Sequence, residues 1–98
     1  MIRNQKLTNC IKGRTVQSAS VERERLVITF NDQSILTVKT APGLAATIAT
    51  GCKIQAVLEE GCECTLQFDD GSSVALRLAN PGASVALRAR NSAVEYLG

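Results

Sequence analysis

Apolar and polar residues alternate along most of this chain with the two-residue period of a strand. The alternation is sharpest from Cys64 to Leu78, where two runs flank the turn Asp69-Asp70-Gly71. It predicts a hairpin with Leu66 opposite Val74 and Cys64 opposite Leu76, all facing one core. A related stretch, Leu26 to Thr40, lies 38 positions upstream. There Leu26, Ile28 and Phe30 point one way, and Leu36 and Val38 join them if Phe30 pairs with Ser34 across Asn31-Asp32-Gln33.

A further alternating run precedes each hairpin. In the first, Arg14 to Ser20, the strand face is Val16, Ser18 and Ser20; in the second it is Cys52, Ile54, Ala56 and Leu58. Glu59-Glu60-Gly61 has the form of a three-residue hairpin loop with a left-handed glycine. That loop sets Leu58 opposite Cys62, Ala56 opposite Cys64, Ile54 opposite Leu66 and Cys52 opposite Phe68. Glu22-Arg23-Glu24-Arg25 reads as a solvated turn between strands, with a recognition loop as the functional alternative.

Two stretches break the strand period. Asn4 to Lys12 carries Leu7 and Ile11 at helical spacing and is followed by Gly13, which predicts a short amphipathic helix. Thr40 to Gly51 has an N-cap residue, Pro42 in the first turn, an Ala-rich body and a closing glycine, with Leu44 and Ile48 as its apolar edge; this predicts a second helix. After the turn signal Asn80-Pro81-Gly82 the tail allows a helical stripe of Ala86, Ala89, Ala93 and Leu97, or a hairpin turning at Arg90-Asn91-Ser92. The hairpin is favoured, because Asn91-Ser92 suits a turn and not a mid-helix position.

Shifted by 38 without a gap, residues 13–41 fall on 51–79 with Gly13/Gly51, Gln17/Gln55, Phe30/Phe68, Asp32/Asp70 and Ser34/Ser72 identical. Inward and outward faces are kept in pairs such as Ile28/Leu66 and Val38/Leu76, so the chain reads as an internal duplication rather than as two convergent meanders. The expected architecture is α+β: a single domain over residues 1–98, built from two helix-plus-three-stranded-antiparallel-meander units (4–41 and 42–79) around one core. A C-terminal hairpin occupies 80–98.

Composition narrows this picture without giving it a function. The 98 residues are 45% apolar but only 3% aromatic, so the core is aliphatic. A net charge of +2 does not by itself imply a polyanionic partner. No apolar run reaches the roughly 20 residues that span a bilayer, and Met-Ile-Arg-Asn-Gln-Lys lacks the core of a secretory signal; the expectation is a cytoplasmic protein with reduced thiols and no membrane association.

Cys52, Cys62 and Cys64 are the one cluster that invites chemistry, and in the register above they share a face. Cys-x-Cys plus a distant cysteine matches zinc knuckles poorly, and no histidine is available, so small buried hydrophobes are the preferred identity over a metal or redox site. Asn31-Asp32 and Asp69-Asp70 read as turn residues, since a calcium loop needs more ligands at set spacing. Lys39, Arg77, Arg88 and Arg90 could collect on an outward sheet face, but no exposed aromatic accompanies them, which makes nucleic-acid binding the alternative reading. No nucleophile with a base and no phosphate-binding glycine loop appears, so no catalytic residue and no cofactor is assigned. By elimination the sequence points to a non-catalytic binding or assembly module, with a protein partner and self-association through its outer strands.

Overall fold

In a computed structural model, which describes residues 2–42, 48, 50–80 and 82–98, the alternating runs form two antiparallel sheets. The elements are β1 (Ile2–Arg3), α1 (Gln5–Ile11), β2 (Val16–Glu22), β3 (Arg25–Phe30), β4 (Ile35–Lys39), β5 (Ile54–Glu60), β6 (Glu63–Phe68), β7 (Ser73–Arg77), β8 (Val85–Arg88) and β9 (Val94–Leu97). One sheet has the order β1-β5-β6-β7 and the other β2-β3-β4-β8-β9.

Among the described residues strand makes up 56% against one short helix of seven residues, which overturns the expected balanced α+β fold with two helical units. The protein is mostly antiparallel sheet. Gly13, at φ 87, stops α1 after two turns, while β1 adds strand that the expected scheme, with its C-terminal hairpin, did not contain. The body of the second expected helix, at 43–47 and 49, lies outside the described residues. α1 itself is built as its pattern requires. Asn4 caps it by accepting the Leu7 N–H at 3.0 Å, and Leu7 and Ile11 are buried where the helix packs on β5 and β9.

The two central hairpins adopt the register that alternation predicts: Leu26 opposite Val38 and Ile28 opposite Leu36, then Cys64 opposite Leu76 and Leu66 opposite Val74. The strands leading into them do not. β5 and β6 are joined by the two-residue turn Gly61-Cys62, with Glu60 opposite Glu63 and the first turn residue Gly61 at φ 58, as a tight hairpin with glycine leading demands. The ladder then slips at Gln55, so that Ile54 still opposes Phe68 while Val57 opposes Leu66.

The same slip occurs at Gln17, with Val16 opposite Phe30, Ala19 opposite Ile28 and Val21 opposite Leu26. One inserted residue reverses which side of the strand faces the core. Ala19, not Ser18 or Ser20, therefore packs against the core, Val21 follows on the same side of the strand but is exposed at the sheet margin, and Val57 joins the buried cluster beside Ile54. The identical glutamines at 17 and 55 mark the bulges.

The halves also meet each other. Thr15 bridges Lys53, and Thr40 bridges Leu78, each pair separated by the same 38 positions as the repeat. At the second bridge the Ala41 N–H donates to the Arg77 carbonyl at 2.9 Å and the Ala79 N–H to the Lys39 carbonyl at 3.1 Å, two bonds that exchange under the shift. A local two-fold axis thus passes between Thr40 and Leu78. Together the bridges link β2, β3, β4, β7, β6 and β5 into a closed circuit around a core centred on Phe30, Phe68, Ile28, Leu66, Leu26 and Val57.

The two halves are finished differently at their margins. β8 and β9 extend the first sheet beyond β4, with Ile35 opposite Arg88, Thr37 opposite Ala86 and Val38 opposite Val85. The tail is thus a hairpin, turning through Ser92 at φ 68. β1 lies along β5, anchored by Asn4, whose side-chain amide donates to Glu59 at 2.9 Å and to the Tyr96 hydroxyl at 2.8 Å. Arg14 grips Glu95 of β9 with two 2.8 Å hydrogen bonds.

Candidate functional site

Arg25 stands directly opposite Lys39 on the β3–β4 ladder, and their neighbours Leu26 and Val38 point into the core, so both cations project from the outer face. Arg88, opposite Ile35 on β8, projects from the same face. The three line a groove of about 590 Å³ floored by Thr37, Val85 and Ala86, with Leu97 at its side and no acidic side chain in its walls. Among the described residues none of the three has a carboxylate partner within ion-pair distance. A second depression of about 460 Å³ shares Arg25 and Lys39 and continues toward Glu22, Arg23 and Glu24. The surface therefore runs from a basic stretch to a mixed one.

Like charges directly opposed on an antiparallel ladder repel. Arg25 has Lys39 on one side and Glu22 on the other, and the equivalent row in the second copy is Glu60, Glu63, Arg77. The middle position is thus Arg in the first half and Glu in the second, so among the described residues this row concentrates positive charge in the first half, which Arg88 then increases.

The four basic residues singled out in the sequence are divided by the fold. Lys39 and Arg88 share the groove. Arg77 lies on β7 opposite Glu63 in the other sheet, and Arg90 is exposed at the turn between β8 and β9. They do not form one face. Arg25, which reads in the sequence as part of a solvated turn, takes the place beside Lys39; its position follows from the Phe30–Ser34 pairing, which carries the ladder back to Arg25 opposite Lys39.

The cysteines do not gather as the simple alternation places them. Cys62 sits in the Gly61-Cys62 turn, whereas Cys64 is buried on the inner face opposite Glu59, and Cys52 lies before the Gln55 bulge. Burial pushes the Cys64 thiol up to about 12, with the Glu59 carboxylate adding to the effect, and burial raises Cys52 as well. A thiol so placed is a packing group and not a nucleophile. Among the described residues no group of three or more His, Cys, Asp or Glu side chains could hold a metal ion.

Asp32 and Asp70 close their turns identically, each accepting from the backbone N–H and the hydroxyl of the serine two residues on. Those hydroxyl hydrogen bonds hold both carboxyls below their ordinary range. Glu95 is held down in the same way by its hydrogen bonds from Arg14. These acids fix turns and strands.

No family model, curated protein or solved structure matches this chain. Among the described residues no helix is long and apolar enough to cross a membrane.

Proposed function

We propose that this chain is a small non-catalytic binding and assembly module that takes an acidic protein segment in the groove of Arg25, Lys39 and Arg88. The observation that carries the reading is the convergence of three cations on one groove whose walls contain no acidic side chain. Opposing Arg25 to Lys39 costs folding energy that an anionic ligand would offset. An acidic peptide fits better than a nucleic acid because the groove offers small aliphatic residues and hydroxyls but no aromatic ring for base stacking.

The repeat belongs to the same reading. Matched bulges, turns and inter-half bridges at an offset of 38 support an origin by duplication of one meander unit, with the Arg25/Glu63 exchange giving one copy its binding face.

The test is a titration with a fluorescent Glu-rich peptide at low salt. Binding that weakens as salt rises, and is lost in Arg25→Glu and Lys39→Glu but retained in Arg90→Glu, is the expected result. Tighter binding to a mixed-sequence oligonucleotide than to the peptide, through the same residues, would replace the acidic-peptide reading with a nucleic-acid one; no binding to either would end it.

A further inference from the structure

Among the described residues one sheet edge carries no strand where its equivalent in the other half does. β4 carries β8 along its outer edge, with the Lys39 N–H donating to the Ser84 carbonyl at 2.8 Å. The equivalent strand, β7, ends its sheet, and among the described residues it has β6 as its one strand neighbour. Ser72 and Leu78 bond toward the β6 side, through the Phe68 N–H to the Ser72 carbonyl at 2.9 Å and the Leu78 N–H to the Cys62 carbonyl at 2.6 Å. Backbone groups alternate sides along a strand, so those of Ser73, Ala75 and Arg77 point the other way. Among the described residues the hydrogen bond on that side is the one from the Ala41 N–H to the Arg77 carbonyl.

The sequence supplies a strand that fits such an edge. β8 with its preceding residue reads Ser84-Val-Ala-Leu-Arg88, and β7 reads Ser73-Val-Ala-Leu-Arg77: the same five residues, 11 positions apart. The first of these is already seated antiparallel on the equivalent edge, burying Val85 and Leu87 against Val38 and Leu36. Its register there is Ile35 with Arg88, Thr37 with Ala86, and Lys39 with Ser84. Moving the acceptor strand by 38 and the docked strand by 11 turns these pairs into Ser73 with Arg77, Ala75 with Ala75, and Arg77 with Ser73. The transferred register is its own reverse.

We infer that β7 pairs with β7 of a second copy, antiparallel about a two-fold axis through Ala75, to make one continuous eight-stranded sheet from two chains. The interface is isologous and closes at two copies. Two hydrogen bonds cross the Ala75 pair, and each Arg77 N–H donates to the other chain's Ser73 carbonyl. On the outer face Ser73 meets Arg77, so no like charges are opposed. On the inner face the half-buried Val74 gains Leu76 of the second copy as a neighbour. The contact is small, so the association is weak and reversible. It deepens the assembly part of the function proposed above and does not involve the basic groove.

Sedimentation equilibrium of the full chain, run with the peptide titration on the same sample, tests it. The expected mass rises from one chain toward two with concentration. Ala75→Pro removes a donor that faces away from β6 and leaves the fold's own ladder intact, so this variant should stay monomeric with unchanged circular dichroism and unchanged peptide binding. Ala75→Lys, which opposes two ammonium groups at the axis, should do the same. As a positive mark, Ala75→Cys should give an oxidised dimer linked between the two substituted positions in peptide mapping. A single-chain mass at every concentration up to solubility, or a dimer indifferent to both the Pro and the Lys substitutions, would overturn the inference. Loss of peptide binding with the dimer intact would instead strike the groove alone.

Discussion

The hairpin turns of the two halves set a side chain and a glycine at one equivalent position. Gln33 holds φ 69 where its counterpart Gly71 holds φ 89, so the same left-handed position is occupied once by a side chain and once by glycine. A Cβ built at Gly71 meets nothing within 4 Å, which removes steric packing from the comparison and leaves backbone strain. A non-glycine residue pays ~1–2 kcal/mol in that region, while glycine pays ~0.5–1 kcal/mol more chain entropy on folding. The difference predicts that Gln33→Gly stabilises by ~0.5–1 kcal/mol and that Gly71→Gln destabilises by a similar ~0.5–1 kcal/mol. For a domain of this size these changes move the melting temperature by roughly 2–8 °C, in opposite directions. Gly71→Val, with a β-branched side chain, should lose ~1 kcal/mol or more. Thermal unfolding followed by circular dichroism, at one fixed protein concentration because self-association shifts the midpoint, reads all three. Gln33→Gly and Gly71→Gln moving the same way, or neither moving, would refute the argument that these two turns share one geometry.

Further expectations concern single groups. The Thr40 hydroxyl is buried without a hydrogen-bond partner at the inter-half bridge, so Thr40→Val should raise stability by ~1 kcal/mol in urea unfolding. Asp32, Asp70 and Glu95 have folded-state pKa values below their unfolded ones, so their contribution is complete above about pH 5 and lost as pH falls through the folded values. Melting temperature should therefore drop between about pH 4 and pH 2, and Ser34→Ala with Ser72→Ala should flatten that drop. In native protein at pH 8, iodoacetamide should label Cys10 and Cys62 and spare Cys64 until the chain is unfolded, as read by peptide mass mapping.

Alternation was enough to place the central hairpins to the residue, because a strand with one buried face admits one register. It failed at Gln17 and Gln55, where a bulge adds a residue: at Gln55 the pattern leaves no gap, since Val57 is as apolar as its neighbours Ala56 and Leu58, whereas at Gln17 the polar Ser18 and Ser20 against Ala19 and Val21 were the available signal. The loop Glu59-Glu60-Gly61 was misplaced for the same reason, since counting back from an unbulged strand demands three loop residues where the chain uses two. The short α1 was legible from Leu7, Ile11 and Gly13, but its weight in the fold was not, because helix length depends on what covers it. For the groove, Lys39 and Arg88 were recognisable as outward cations. Arg25 was hidden by its neighbours Glu22, Arg23 and Glu24, whose mixed charges resemble an ordinary turn. Arg77 and Arg90 stand out by charge alone: the split into two sheets removes Arg77, and the β8–β9 turn carries Arg90 beyond the end of its strand.

The bridges at Thr15–Lys53 and Thr40–Leu78 have a consequence for how the chain reaches this state. Each meander can form from neighbours in sequence, at little loop cost, but it is left with unpaired margins and half a core. Circuit closure joins residues 38 positions apart at both ends and seats β1 against β5 from more than fifty positions away. Closure is thus expected to be the slow, cooperative step, since it joins the most distant residues. Before it, each half would present its margins to a neighbouring chain as well as to its partner half, so exchange of halves between molecules is the misassembly to expect of this architecture.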